Sequence, residues 1–282
     1  MKQEGPLLRV RNLVKEYPAS RKGLFRTRPG RAFRAVDDVS FELARGKTLA
    51  IVGESGSGKS TTARIVAKLL EPTAGSIVLE GQDVTRCSPR SELLYRGEVQ
   101  MVFQDPFSSL NPRHTVEQII SAPLRYQKKG DRREHPEIVR SLLRRVGLQP
   151  EHAARHPWQF SGGQAQRISI ARALAVDPKI VICDEAVSAL DVSVQAQILD
   201  LLQELQEETG MSYIFITHDL AVVGEIAHDV LVMSRSKVVE NGPRDRVLTM
   251  PQDPYTQRLL DSVPRINPVW DERRKQAMRL EV

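Results

Sequence analysis

Residues 53–60, Gly53-Glu54-Ser55-Gly56-Ser57-Gly58-Lys59-Ser60, have the spacing G-x-x-x-x-G-K-[ST], with Thr61 next in line. Glycines at these positions let successive backbone N–H groups turn into one concavity, a shape that holds phosphate oxygens. A helix beginning there adds the partial positive charge of its N-terminus. Lys59 would reach the β- and γ-phosphates of a nucleotide, and the Ser60 hydroxyl would ligate Mg²⁺. A flexible glycine loop is the bland alternative, and the flanks argue against it. TLAIVGE at 48–54 is a short, nearly continuous apolar run, as in a strand buried on both faces. KSTTARIVAKLL then has helical spacing and is expected to stop at Glu71-Pro72.

A second acidic signal lies at Ile180-Val181-Ile182-Cys183-Asp184-Glu185. Asp184, at the end of an apolar strand, could hold Mg²⁺ through its water shell. Glu185 points elsewhere and could polarise an attacking water as general base. Such a pair can equally cap a helix or face solvent. Twenty residues earlier stands Ser161-Gly162-Gly163-Gln164. Ser-x-x-Gln before an amphipathic helix is a capping box; two glycines at a helix N-terminus also make an open anion site.

With these residues in this order the chain resembles the ABC ATPases. In that family two domains pair head to tail, and ATP lies between the P-loop of one and the Ser-Gly-Gly-Gln signature of the other. The resemblance covers about residues 7–240 and implies further roles. Tyr17 matches the aromatic that stacks on adenine, although Phe25 and Phe33 compete for that place. Gln104 matches the glutamine that senses Mg²⁺ and the attacking water. Asp191, in Ser188-Ala189-Leu190-Asp191, matches the loop that crosses the dimer interface. His218 matches the histidine that contacts the γ-phosphate; on its own it could be a satisfied strand-end histidine. Two positions depart from the family pattern: Ala186 replaces the usual proline, and Phe160 the usual leucine. Neither removes a catalytic group.

Three features resemble the oligopeptide, dipeptide and nickel importers within that family. They are Gln104-Asp105-Pro106-Phe107-Ser108-Ser109-Leu110-Asn111-Pro112, a basic insertion at 18–32, and Asp253-Pro254-Tyr255-Thr256-Gln257 near the C-terminus. Some members of that group carry an iron–sulfur cluster in the C-terminal extension; with no cysteine beyond Cys183, none is expected here. The resemblance implies ATP and Mg²⁺ as ligands and two integral-membrane permeases as partners. It also implies a second ABC ATPase, with a heterodimer favoured over a homodimer, and a solute-binding protein acting indirectly. The competing reading is an ABC ATPase that drives shape changes in an enzyme or nucleic-acid complex. The Lys and Arg residues of 18–34 read more simply as a solvated loop, so no specific nucleic acid is expected.

The elements that must position these residues alternate between buried strands and helices. VQMVFQ (99–104), KIVICDE (179–185), SYIFITH (212–218) and HDVLVMS (228–234) have the strand pattern. Helical stretches are expected near 115–125, 134–146, 164–176, 193–208 and 219–227. This pattern predicts an α/β fold with a largely parallel sheet between helices. LLRVRNLVKEY at 7–17 alternates and reads as an edge-type strand, and VDDVSFEL at 36–43 as a second one. The resemblance completes the expected architecture: a P-loop NTPase core, an antiparallel β subdomain and a helical subdomain at about 105–165, all within 7–242. A C-terminal extension at 243–282, polar and proline-punctuated, reads as an appendage.

At 282 residues the chain can bury a full core, and 40% hydrophobic with 27% charged residues is ordinary for a globular protein. A net charge of +6 suits a place near anionic lipid or phosphates but decides nothing alone. Cys87 and Cys183 are too few for a disulfide framework or a cysteine metal site. No apolar run approaches the roughly 20 residues of a membrane span, and the N-terminus lacks a signal-peptide core. The expected location is therefore peripheral, at the cytoplasmic face of the cell membrane, through a partner.

Overall fold

A computed structural model of the chain describes residues 5–18 and 33–262. The basic stretch from residue 19 to 32, Phe25 included, and the C-terminal segment from residue 263 lie outside that range.

The chain opens with β1 (Leu8–Tyr17), β2 (Phe33–Leu43), β3 (Thr48–Val52), α1 (Lys59–Val66), β4 (Ala74–Leu79) and β5 (Gln82–Asp83). Then come α2 (Pro89–Glu98), β6 (Val99–Val102), α3 (Pro106–Ser109), α4 (Val116–Gln127), α5 (His135–Arg145) and α6 (Gly162–Leu174). The chain returns through β7 (Ile180–Asp184), α7 (Val192–Thr209), β8 (Ser212–Ile216) and α8 (Leu220–Ile226). It ends in β9 (Asp229–Ser234), β10 (Lys237–Pro243), α9 (Arg244–Thr249) and α10 (Pro254–Asp261).

Two sheets result. The larger has the order β10-β9-β3-β8-β7-β6, parallel throughout except for β10, which pairs antiparallel with β9. Every residue of β3, β7 and β8 is buried, the consequence of layers covering both faces. Along β7 the side chains divide by parity. Ile180 and Ile182 face a core shared with α1 and the smaller sheet, while Val181 and Cys183 face the helices α4 to α7. Because the strands are parallel, the P-loop after β3, the carboxylates ending β7 and His218 after β8 emerge at one edge. In open α/β sheets that carboxyl edge is where ligands bind.

The smaller sheet, β2-β1-β4-β5, is antiparallel. Here β1 is not the edge strand its sequence suggests. It lies between β2 and β4, with Leu8 opposite both Leu43 and Leu79. Alternation reports that one face is buried; it does not report how many neighbours a strand has.

Two other expectations shift. The helix after the P-loop ends at Val66 rather than running to Glu71. Lys68 adopts φ +58°, and the N–H groups of Leu69 and Leu70 fold back onto the Arg64 carbonyl. Residues 244–262, read as part of an appendage, pack on the sheet instead. Val247 is buried, and Leu248, Tyr255, Leu259 and Leu260 rest against Ala50, Val52, Val230 and Val232.

Candidate functional site

The P-loop is held between the two sheets. A side chain at Gly53, where φ is +145°, would place Cβ 2.1 Å from the Met233 carbonyl oxygen on β9. One at Gly58, with φ +101°, would come within 2.4 Å of the Ala35 carbonyl oxygen on β2. Both positions therefore require glycine for space as well as for backbone angle. Ser57 is buried, and its hydroxyl has no partner among the described residues. Lys59 is only 5% exposed and donates to the carbonyl oxygens of Gly53 and Glu54, each at 2.8 Å. Burial pulls the Lys59 amine below its ordinary pKa, and the negative charges of Glu185, Asp184 and Glu54 oppose that shift.

Asp184 is neither a helix cap nor a solvent-facing acid. It is 6% exposed and accepts a 2.8 Å hydrogen bond from the Ser60 hydroxyl. Burial raises the Asp184 pKa, partly offset by Ser60 and Arg64. Glu185 turns away in the left-handed region at φ +50°, its N–H donating to the Ile216 carbonyl at the end of β8. That conformation costs a non-glycine residue of order 1–2 kcal/mol. It aims the carboxylate toward His218, whose Nδ1 is 3.7 Å from Glu185 Oε2. Gln104 Nε2 donates to the Ser188 hydroxyl at 3.4 Å, and that hydroxyl donates to the Glu185 carbonyl at 2.9 Å. Contacts thus run from Gln104 through Ser188 to the Glu185 backbone, and separately from the Glu185 carboxylate to His218.

Tyr17 and Phe33 are cross-strand neighbours and both are exposed, at the end of the β1–β2 pair. Two residues along β2 is Ala35, against Gly58. An exposed aromatic surface therefore adjoins the P-loop, and Lys15 Nζ lies 5.4 Å from the Tyr17 ring centre.

The signature segment forms the capping box that its spacing suggests. Ser161 caps α6 through a reciprocal capping box with Gln164. Gly162 and Gly163 stay half-exposed, and Gly163 is set tightly against Val194 of α7. Asp191 occupies the N-cap position of α7 without a side-chain capping bond. Among the described residues no hydrogen bond joins Ser161–Gln164 to the P-loop.

Sequence reasoning missed one participant. The Glu54 N–H donates to the Tyr255 hydroxyl on α10 at 2.9 Å, across 201 residues. The only signal was the Asp-Pro-Tyr segment, whose local spacing points to a helix start and not to a phosphate loop. Cys183 is inert core: burial pushes its thiol up to about 12.

Residues 36–188 match the family model "ABC transporter", and residues 239–281 match "Oligopeptide/dipeptide transporter, C-terminal region". The chain belongs to the ABC transporter family. It is 49% identical to the dipeptide transport ATP-binding protein DppF of Escherichia coli K12, over 96% of this chain and 79% of that protein. It is 51% identical to the probable peptide ABC transporter ATP-binding protein y4tS of Sinorhizobium fredii, over 92% and 72%. The solved dimer of the ATP-binding cassette MJ0796, in a post-hydrolysis state with ADP and Pi, superposes with a TM-score of 0.74. That match has 28% identity and covers 84% of this chain and 98% of MJ0796. This ABC ATPase binds and hydrolyses ATP, on a P-loop NTPase fold.

Proposed function

We propose that this ABC ATPase drives an importer for peptides or similar small solutes. The reading is carried by the C-terminal match to oligopeptide and dipeptide transporters in a chain that keeps every ionisable group of the ATP site. Glu185 acts as general base on the attacking water, oriented by His218 and Gln104, while Lys59 and the P-loop amides bind the phosphates. Ser60, Asp184 and Gln104 would hold Mg²⁺. A hydroxyl 2.8 Å from a buried carboxylate is a hard-oxygen donor set of the kind that cation prefers. When bound, the cation neutralises phosphate charge. Tyr17, with Phe33 beside it, receives the adenine.

Ser161–Gln164 and Asp191 serve the P-loop of a second ATPase, since their own P-loop does not meet them. A different ATPase is favoured for that place, with a second copy of this chain as the other option. Permease docking is supported by a groove of about 390 Å³ beside Gln104, lined by Leu69, Met101, Phe103, Pro123 and Tyr126. Leu69 and Tyr126 stand exposed there. No helix among the described residues is long and apolar enough to cross a membrane. Attachment to the cytoplasmic face would run through this groove, with the solute-binding protein acting on the permeases. On this reading 7–242 is the motor, 105–165 its helical lobe and 243–282 an extension.

Copurification in gentle detergent from the native cells tests the assignment. Two integral-membrane permeases and a second ATPase are expected. Soluble enzymes or ribosomes without a permease would sink the import reading and leave the ATPase chemistry.

A further inference from the structure

The peptide unit between Gly53 and Glu54 is held at both ends. Its carbonyl accepts from Lys59 Nζ at 2.8 Å, and its N–H donates to the Tyr255 hydroxyl at 2.9 Å. Gly53 at φ +145° holds a backbone angle that other residue types rarely adopt, so this peptide follows a turn that only glycine readily makes. Lys59 is also the group that must leave the Gly53 and Glu54 carbonyls, at least in part, when phosphate arrives. At that moment Tyr255 is the remaining side-chain restraint on the peptide plane.

Tyr255 is itself firmly placed. Its helix α10 is capped by Asp253, whose carboxylate accepts from the Tyr255 N–H at 2.7 Å. The turn before it is anchored by Glu240 on β10, which accepts from the N–H groups of Gln252 and Asp253 at 3.0 and 3.2 Å. Burial, the largest influence on the Glu240 carboxyl, would raise its pKa. The N–H donors of Gln252 and Asp253 act the other way, and the pKa of the group lies below its ordinary value. The Tyr255 ring rests on the apolar cluster beneath β3, the strand that ends in the P-loop.

We infer that Tyr255 is a positioning residue for nucleotide binding: its hydroxyl sets the Gly53–Glu54 peptide and so couples docking of α10 to occupancy of the P-loop. Coupling of this kind is reciprocal. Nucleotide must tighten α10, and anything that lifts α10 must weaken nucleotide. This rests on the P-loop being the nucleotide site, as proposed above.

The test compares the full-length protein with Tyr255→Phe, which keeps the ring and deletes the hydroxyl. Calorimetry with MgADP should show Kd raised a few-fold and at most about tenfold, because only the part of the hydrogen bond that differs between free and bound protein enters Kd. In steady-state hydrolysis the loss should fall on KM for ATP rather than on kcat. In the wild-type protein, hydrogen exchange of residues 254–261 should slow when MgADP binds, and in Tyr255→Phe it should not. An unchanged Kd in the variant overturns the inference. So does wild-type exchange in 254–261 that is indifferent to nucleotide, or a variant whose α10 already exchanges freely without nucleotide. If the wild-type protein itself binds no MgADP, the nucleotide-site reading falls first; if it binds and the variant matches it, only the role of Tyr255 falls.

Discussion

On the proposed mechanism one side-chain carboxylate, that of Glu185, serves as the base in the chemical step. Glu185 is held in an unfavourable left-handed conformation, with its N–H fixed by Ile216 and its carboxylate turned toward His218. Glu185→Gln keeps that geometry and removes the base. Phosphate release should fall by at least about 100-fold, the lower range for a general base, while MgATP binding by calorimetry stays near wild type. Near-normal turnover would move the base elsewhere. Asp184 makes the opposite kind of prediction, about stability. Its folded pKa is raised by burial, so the native state binds a proton that the unfolded state has already lost. The resulting penalty is absent below the ordinary carboxylate pKa and complete above the raised one. Asp184→Asn removes it, and the nucleotide-free variant should melt higher at pH 7 than the wild-type protein. The gain should shrink as pH falls through the carboxylate range. A variant that melts lower at pH 7 would mean that the Ser60 hydrogen bond outweighs the cost of the buried charge.

Elements explain what the sequence could and could not disclose. The buried strands β3, β7 and β8 are short apolar runs between glycine or acidic punctuation, and their parallel order follows from the helices between them. Hence the places of the P-loop after β3 and of Asp184 and Glu185 at the end of β7 were legible, and their meeting with His218 at one sheet edge follows from the strand order. The place of β1 was not, because alternation is silent on pairing partners and β4, Ala74–Leu79, shows too little contrast to declare itself. Nor was α10, since packing against β3 depends on a surface assembled from β3, β9 and α8. The signature helix gives an element-scale test. A Cβ at Gly163 would lie 2.5 Å from Val194 Cγ1, and a β-branched side chain in a helix has little rotamer freedom with which to yield. Gly163→Ala should cost about 1–3 kcal/mol in denaturant unfolding, the usual range for overpacking. Val194→Ala in the same chain should recover much of it, a coupling that contact predicts. Additive losses would show that α6 and α7 adjust independently.

At the scale of the whole molecule, the proposed function makes this chain one half of an ATP site. The P-loop, Asp184 and Glu185 lie at one sheet edge, while Ser161–Gln164 present two half-exposed glycines at the start of α6 without meeting them. A helix N-terminus facing outward with glycine in its first turn is a place for an anion from another molecule. ATP bound on one P-loop would supply that anion, so closure should depend on ATP and be reversed by its hydrolysis. Glu185→Gln, which retains ATP, should therefore run at twice the monomer mass in size exclusion with light scattering at millimolar ATP, and as monomer with ADP. Gly162→Asp in that background separates binding from pairing. The nearest atom to a Cβ there is Leu190 Cδ2 at 3.6 Å, an ordinary contact, so the fold has room for a Cβ, and Gly162 is half-exposed. Its carboxylate, however, would oppose the incoming γ-phosphate across the interface. The double variant should bind MgATP within about twofold of its parent, since its own P-loop is untouched, and should remain monomeric. Dimerisation of the double variant would show that the signature turn does not meet phosphate. If the Glu185→Gln parent also stays monomeric in ATP, repeating the measurement with the copurified second ATPase decides whether the facing half belongs to a different chain.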